Sequence, residues 1–420
     1  MLKAASLFYA TVISLIIAII SSSLLLFSFF NNQEKLIYSN QERIYRNVIS
    51  GIRLIMASDT LLSEDQKSII DLFGNKADSV ALQSIAWGGF KVALSIAYSG
   101  NKKCNKAAIY GIVPDTINKS ALYLVDNGKP LTLCGKTFIK GTCYLPKAGI
   151  KRGYIEGKNF EGDELVYGLI KQSNKALPVV SKKIIERLKS VYTKKGFQDD
   201  SVINYTGGIS NDSLTNSFFS KTIAIYSHDK IIINSGEFCS GNIIIHSDTE
   251  IEVEQHCKMQ DIILTAPIVK IKDSFTGNIQ VFASDSICIG AKCVLQYPSL
   301  LTILKEKINN SNSVIKMEPG SSISGNIFAY NGMQSTQTQV LVCINEKDTV
   351  IGSIYSNGNV DLKGLVYGNI TCNQIMLKTT NSEYEGYLMD ATIDCTKLSK
   401  YFVYADLLPA KKKSIVKWVY

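Results

Sequence analysis

Residues Asn242 to Glu254 read NIIIHSDTEIEVE, two short apolar runs joined by a polar bend. The bend holds no Asn-Gly or Asp-Gly pair, so it lacks the chemistry that folds a strand back on its neighbour in a tight hairpin. The runs recur. One series places Ile223, Ile243, Ile262 and Ile279 at its head, and a second runs through Ile231, Ile251, Val269 and Ile287. A third position carries Cys257, Phe275 and Cys293. Repetition about every 18 residues, three positions to a turn, describes a coil in which each strand pairs in parallel with its equivalent one rung later.

Side-chain alternation supports this coil. Within Glu250–Glu254 the glutamates point outward while Ile251 and Val253 point inward, as a period of two requires. One rung on, Lys270 and Lys272 fall at the register of Glu252 and Glu254, which sets opposite charges side by side. Gly-Asn-Ile or Gly-Ser-Ile opens strands at Gly241, Gly277, Gly325, Gly352 and Gly368, where corners need backbone freedom. The period breaks after Gly290, and PSLLTILKEKINNSNS (298–313) reads as an inserted loop or short helix. The fold class is mainly β: a right-handed parallel β-solenoid over 215–400, with a single N-terminal transmembrane helix, a stalk helix and one inserted helix.

Outside the coil, the N-terminus is the most informative segment. Ala4 to Phe30 carries no charge and no proline, and as a helix it exceeds the ~30 Å hydrocarbon thickness of a bilayer. A cleavable signal peptide should be shorter and end in a small-x-small site, so a retained anchor is the favoured reading. Lys3 precedes the span while Lys35, Arg43 and Arg46 follow it, a bias that taken alone favours the opposite topology. The short leading tail and long following chain nonetheless match a signal anchor with an exported body. Ile37, Ile44, Val48, Ile52 and Ile55 then lay one stripe along a helix that continues to about residue 57 as a stalk.

Between these ends the chain divides into a small mixed α/β segment (58–130), short glycine-punctuated strands (131–177), and an inserted helix and linker (178–214). In that helix Val180, Ile184, Leu188, Val191 and Tyr192 share a face, and Gly196 is its stop signal. Residues 401–420 are expected either to cap the coil or to dock a partner through Trp418, Val419 and Tyr420.

Two resemblances follow from these residues. GSIYSNGNVDLKGLVYGNI (352–370) resembles the polymer-forming β-solenoids of the bactofilin type, which implies a scaffold or self-associating role without catalytic residues. The apolar helix and stalk with a β-rich body behind resemble pilin-like and pseudopilin-like membrane proteins, although no glutamate follows the start of this apolar run.

Hydrophobic content of 46% against 19% charged residues is enough to build a core and excludes a disordered chain. The net charge of +9 is spread over scattered sites, with Lys182-Lys183, Lys194-Lys195 and Lys411-Lys412-Lys413 the only short clusters, so no nucleic-acid face is expected. All ten cysteines follow the membrane run. For Cys134 and Cys143 a disulfide is one reading and burial as small core residues the other; the coil cysteines are expected in the core.

The catalytic motifs sought are missing: no Gly-x-Ser-x-Gly, Walker loop or dinucleotide fingerprint occurs. His228, His246 and His256 lack zinc spacing, and His256 beside Cys257 and Cys239 is read as structural. Asp229, Asp248 and Asp285 do not recur at the coil's period, so no carboxylate pair for glycoside chemistry is expected. No cofactor is expected. The functional expectation is a non-enzymatic, single-pass membrane protein anchored through residues 4–30, its body exported, acting as a scaffold in a cell-envelope or surface assembly with possible self-association or envelope partners. A carbohydrate- or surface-binding module, with Tyr330, Tyr355 and Tyr367 as a stacking face, is the alternative; a polysaccharide-degrading enzyme comes third.

Overall fold

The structure is a computed structural model that describes residues 2–58, 66–72, 78–100, 102–114, 120–192, 201–208, 213–305, 312–332, 340–410 and 412–419. Lys194, Lys195, Gly196, Lys411, Tyr420 and the middle of the expected insertion (306–311) lie outside them. The chain forms two compact units: Met1–Leu62 with Gln66–Gln83 and Ser95–Lys106, and Ser84–Leu94 with Ser63–Asp65 and Ala107–Tyr420.

In the first unit, α1 (Leu2–Ala57) is one uninterrupted helix of 56 residues. Its stripe packs only from Ile44 onward: Ile44, Val48, Ile52 and Ile55 are buried, while Ile37 is exposed. Strand β1 (Ser68–Ile70) pairs with β2 (Asp78–Trp87), and the helix meets β2, β3 (Phe90–Ser99) and β4 (Lys102–Val113), three strands that run on into the second unit. Gly51 sets the spacing of helix and sheet, because a Cβ there would lie 2.5 Å from Ser95 Oγ and 2.6 Å from Leu82 Cδ2. The expected mixed α/β segment therefore contains only strands among its described residues. Its helical signals come from apolar runs such as ValAlaLeu (80–82), which burial on a sheet explains equally well.

In the second unit the C-terminal strand Lys412–Val419 pairs antiparallel with β4, from Lys412 opposite Val113 to Val419 opposite Ala107. Residues 412–419, expected to cap the coil or dock a partner, form a sheet strand, and the β-branched Ile415, Val416 and Val419 suit that role. The β2–β3 turn is seated on the coil's lateral face. Trp87 and Phe90 join Phe282, Leu300 and Phe328 in one apolar cluster, and Gln280 clamps the turn by accepting from Gly89 N (2.8 Å) and donating to Trp87 O (3.1 Å). Gly88 has φ +60°, and a side chain at Gly89 would strike Leu300, so the Gly-Gly pair is required by this seat.

The remainder of the second unit is a stack of parallel rungs. One ladder runs without a break through Ile203, Ile225, Ile245, Leu264, Val281, Leu301, Ile327, Ile354, Ile370, Leu122, Cys143 and Ile170. A second passes through Ile231, Ile251, Val269, Ile287, Ile315, Val342, Val360 and Ile375. A third joins Leu214, Cys239, Met259, Gly277, Leu295, Ile323, Val350, Val366, Ile393 and Ile139. Apart from the terminal Ile203 and Ile170, the apolar side chains of these ladders pack into one continuous core.

Rung order differs from chain order. Of the short strands in 121–172, Leu122–Leu124, Phe138–Lys140, Cys143–Leu145 and Ile170–Gln172 continue the coil beyond Ile370, because Leu122 is that residue's ladder partner, while Tyr154–Ile155 and Lys158–Asn159 form an antiparallel hairpin. The chain thus enters the stack part-way along, builds outward to Ile170, and returns over the coil's outer face through α2 (Lys182–Tyr192). Contacts mark the return path: Tyr355 Oη donates to Pro178 O (3.2 Å) and Tyr192 Oη to Ala266 O (2.6 Å). Ser181 Oγ caps α2 by accepting from Ile184 N at 3.3 Å, and Ile185 and Leu188 face the apolar cluster.

The stretch expected as an insertion is largely strand, Val294–Lys305. Both of its faces are buried from Pro298 on, one in the core and one under the β2–β3 turn. A strand covered on both sides reads as a continuous apolar run instead of an alternating one, which is why its sequence resembles a helix or loop.

Candidate anchor and binding surfaces

The N-terminal part of α1 is apolar on every side. Its best window has a mean hydropathy of 2.5 and is wholly unburied, so the helix is long and apolar enough to cross a membrane. Farther along, the same helix carries the polar contacts that fix it to its sheet. Asp78, buried at the start of β2, has its Oδ2 3.2 Å from Arg43 Nε and accepts from Asn47 Nδ2 at 3.3 Å. A buried carboxylate needs such partners, and meeting both from successive helix turns fixes helix register against the strand.

On the coil's outer face, charges alternate from rung to rung. Glu250 lies 3.1 Å from Lys230 and 2.9 Å from Lys270, and Glu252 pairs with Lys230 and, at 2.7 Å, with Lys272. Glu252 does stand opposite Lys270 in the ladder, but the ammonium groups reach diagonally, each to the glutamate two places earlier. The hydrogen bonds from Lys230 and then Lys272 hold the Glu252 carboxyl down at about 2.

Next to this network lies a cluster that sequence reasoning missed. His228 Nδ1 is 2.7 Å and His246 Nε2 is 3.1 Å from the Asp248 carboxylate, and Tyr226 Oη donates to the same group. The Tyr226 and His246 rings stack at 5.5 Å with planes 10° apart. Burial pushes the Asp248 carboxyl up, but the hydrogen bonds from Tyr226, His246 and His228 outweigh it and hold it below its ordinary value. The signal was in the repeat: Tyr226 and His246 are ladder partners. Among the described residues, no group of three or more His, Cys, Asp or Glu side chains is placed to hold a metal ion.

Ile243, Ile251, Ile262, Val269, Ile279, Ile287, Cys257, Phe275 and Cys293 are buried in the coil core, with Ile223 half-buried at its edge. Cys134 and Cys143 are free thiols buried on separate strands, Leu131–Cys134 and Cys143–Leu145. Burial pushes the Cys143, Cys239 and Cys257 thiols up to about 12, which removes nucleophilic character. His256 is exposed on a turn at φ +64°, whereas Cys239 and its chain neighbour Cys257 are buried in the core. The tyrosine face is not formed: Tyr355 is buried and stacked on Phe328 at 5.1 Å, Tyr330 is stacked on the same ring at 6.1 Å, and Lys397 covers the Tyr367 ring. The β2–β3 turn and α2 occupy the face that these rings would have offered.

No family model matches the chain, and no curated protein does. Among solved structures, the competence-associated pilin ComZ from Thermus thermophilus is similar at 10% identity over 92% of this chain and 95% of that one, with a TM-score of 0.27. A likeness at that score carries no argument, so the functional reading rests on this chain's own geometry.

Proposed function

We propose that the protein is a membrane-anchored, non-enzymatic assembly component. Residues 4–30 hold it in the bilayer, and the exported body presents a right-handed β-solenoid as a scaffold in a cell-envelope or surface structure. One observation carries this reading: the apolar run and the packed stripe Ile44, Val48, Ile52 and Ile55 belong to one unbroken helix, so the run continues directly into a segment packed within the first unit. Beyond the apolar run, Leu36 and Tyr38 remain exposed on α1, which suits helix contacts with neighbouring subunits.

The test is membrane extraction with cross-linking. The full-length chain should resist alkaline carbonate, become extractable when Ile16→Arg and Ile20→Arg interrupt the run, and give ladders of multiples on amine cross-linking in intact membranes. An unmodified chain that washes off with carbonate removes the anchor. A chain that stays in the membrane but cross-links only as a monomer removes the assembly role.

A further inference from the structure

We propose that the groove between the C-terminal strand and the coil's early rungs binds a neutral oligosaccharide. The groove encloses about 460 Å³ and is lined by Thr215, Ser240, Gln260, Asp261, Lys417 and Trp418, among others. That volume lies within the about 300–1,000 Å³ usual for small-ligand clefts. Trp418 is 42% exposed, whereas Trp87, the other tryptophan, is buried. An exposed indole inside a concavity offers a flat apolar face for the C–H side of a pyranose ring and an N–H for its hydroxyls. Thr215 and Gln260 are exposed beside it, and Ser240 is half-buried. Together they supply hydroxyl and amide groups that both donate and accept, the pairing that sugar hydroxyls need.

Charge selects the ligand class. Lys417 Nζ lies 2.7 Å from Asp261 Oδ2, and Asp261 Oδ1 accepts from Asn278 Nδ2 at 3.2 Å. The cation and the carboxylate in the groove therefore neutralise each other, and neither is left to attract an ionic ligand. An acidic glycan would meet no uncompensated cation there.

Backbone geometry gives a second, independent indication. The ladder slips between Gln260 and Ile262, leaving Asp261 as a bulge at φ +57°, a region that non-glycine residues rarely occupy. Asn278 holds this conformation from both sides, its Oδ1 accepting from Asp261 N at 2.6 Å. Bulges of this kind re-aim side chains, and strained non-glycine backbone concentrates at ligand sites. Beneath the groove Phe218 is buried and edge-on to Trp87 at 5.1 Å, which gives a rigid floor.

The test uses full-length protein in a detergent without a sugar headgroup, titrated with cellohexaose, chitohexaose, xylohexaose and mannohexaose, and with hexagalacturonate as the acidic control. At least one neutral hexaose should change the tryptophan emission saturably, and the acidic one should not. In Gln260→Ala the dissociation constant should rise about tenfold, equivalent to about 1.4 kcal/mol. In Trp418→Ala the remaining Trp87 emission should be unresponsive and calorimetry should show no binding heat. If no neutral hexaose changes emission or releases heat at millimolar concentration, or if binding survives undiminished in Trp418→Ala, the proposal fails. Should Trp418→Ala misfold by circular dichroism, the exposed Gln260→Ala and Thr215→Ala variants carry the decision: unchanged affinity in both overturns it.

Discussion

At the scale of single residues, the clearest consequence is electrostatic. Glu252 accepts from Lys230 and Lys272, and its carboxyl is held at about 2 against an ordinary 4.5. A depressed folded value means that the stabilisation is complete above about pH 4.5 and lost as the pH falls toward about 2. Thermal melts of the wild type and Glu252→Gln should therefore differ most at neutral pH and converge as the pH drops through that window. A gap that stays constant with pH would show that the two lysines do not discriminate the charged form. Asp348 works in the opposite direction. Burial raises its carboxyl to about 6, even though Ser321 N and Asn345 N donate to it. Its folded value lies above the unfolded one, so its contribution is complete below about pH 4 and lost as the pH rises through about 6. Asp348→Asn should flatten that part of the stability curve.

At the scale of elements, ladder position decides what a residue contributes. Ile327 lies inside the first ladder and is buried, whereas the terminal members Ile203 and Ile170 are 43% and 52% exposed. Ile327→Ala should destabilise the protein by about 2–5 kcal/mol, while Ile203→Ala should stay within about 0.5 kcal/mol. Urea titration of both variants reads the contrast directly, and equal losses would mean that the end rung is packed like an internal one. The ladders were legible in the sequence because their cause is local: a period near 18, alternation in Glu250–Glu254, and glycine at the corners. What lay beyond local cause was not legible. The strand Val294–Lys305 loses its alternation because the β2–β3 turn covers its outer face, and that cover comes from residues 87–90. The C-terminal tail reads as a cap because its strand partner is β4, some three hundred positions away. Leu122 and Ile370 are ladder neighbours, yet no residue near either one marks the other. The Tyr226–His246 stack is an intermediate case: the two positions are 20 apart, one rung of the coil, but the sequence reading did not pair them, and their link to Asp248 and His228 needed coordinates.

At the scale of the whole molecule, the Leu122–Ile370 joint changes how the stack should behave. Ordinary repeat arrays fray from their termini, and a strand added on late would exchange quickly. Here residues 122–124 lie between other rungs, bonded to Ile370–Cys372 on one side and to Cys143–Tyr144 on the other. Hydrogen exchange should therefore protect 122–124 as strongly as Ile327, although they come from a segment of short strands; markedly faster exchange would mean that the joint opens independently. The same joint sets an order of events during biosynthesis. The ribosome delivers 121–172 first, then 201–364, and only afterwards the strand Leu365–Lys378 that touches both. Until that strand arrives, two blocks of rungs wait with apolar edges uncovered, and neither can seal the other. The last long strand made is a keystone in the interior of the arch, so folding cannot keep pace with the emerging chain and must finish in one late closing step.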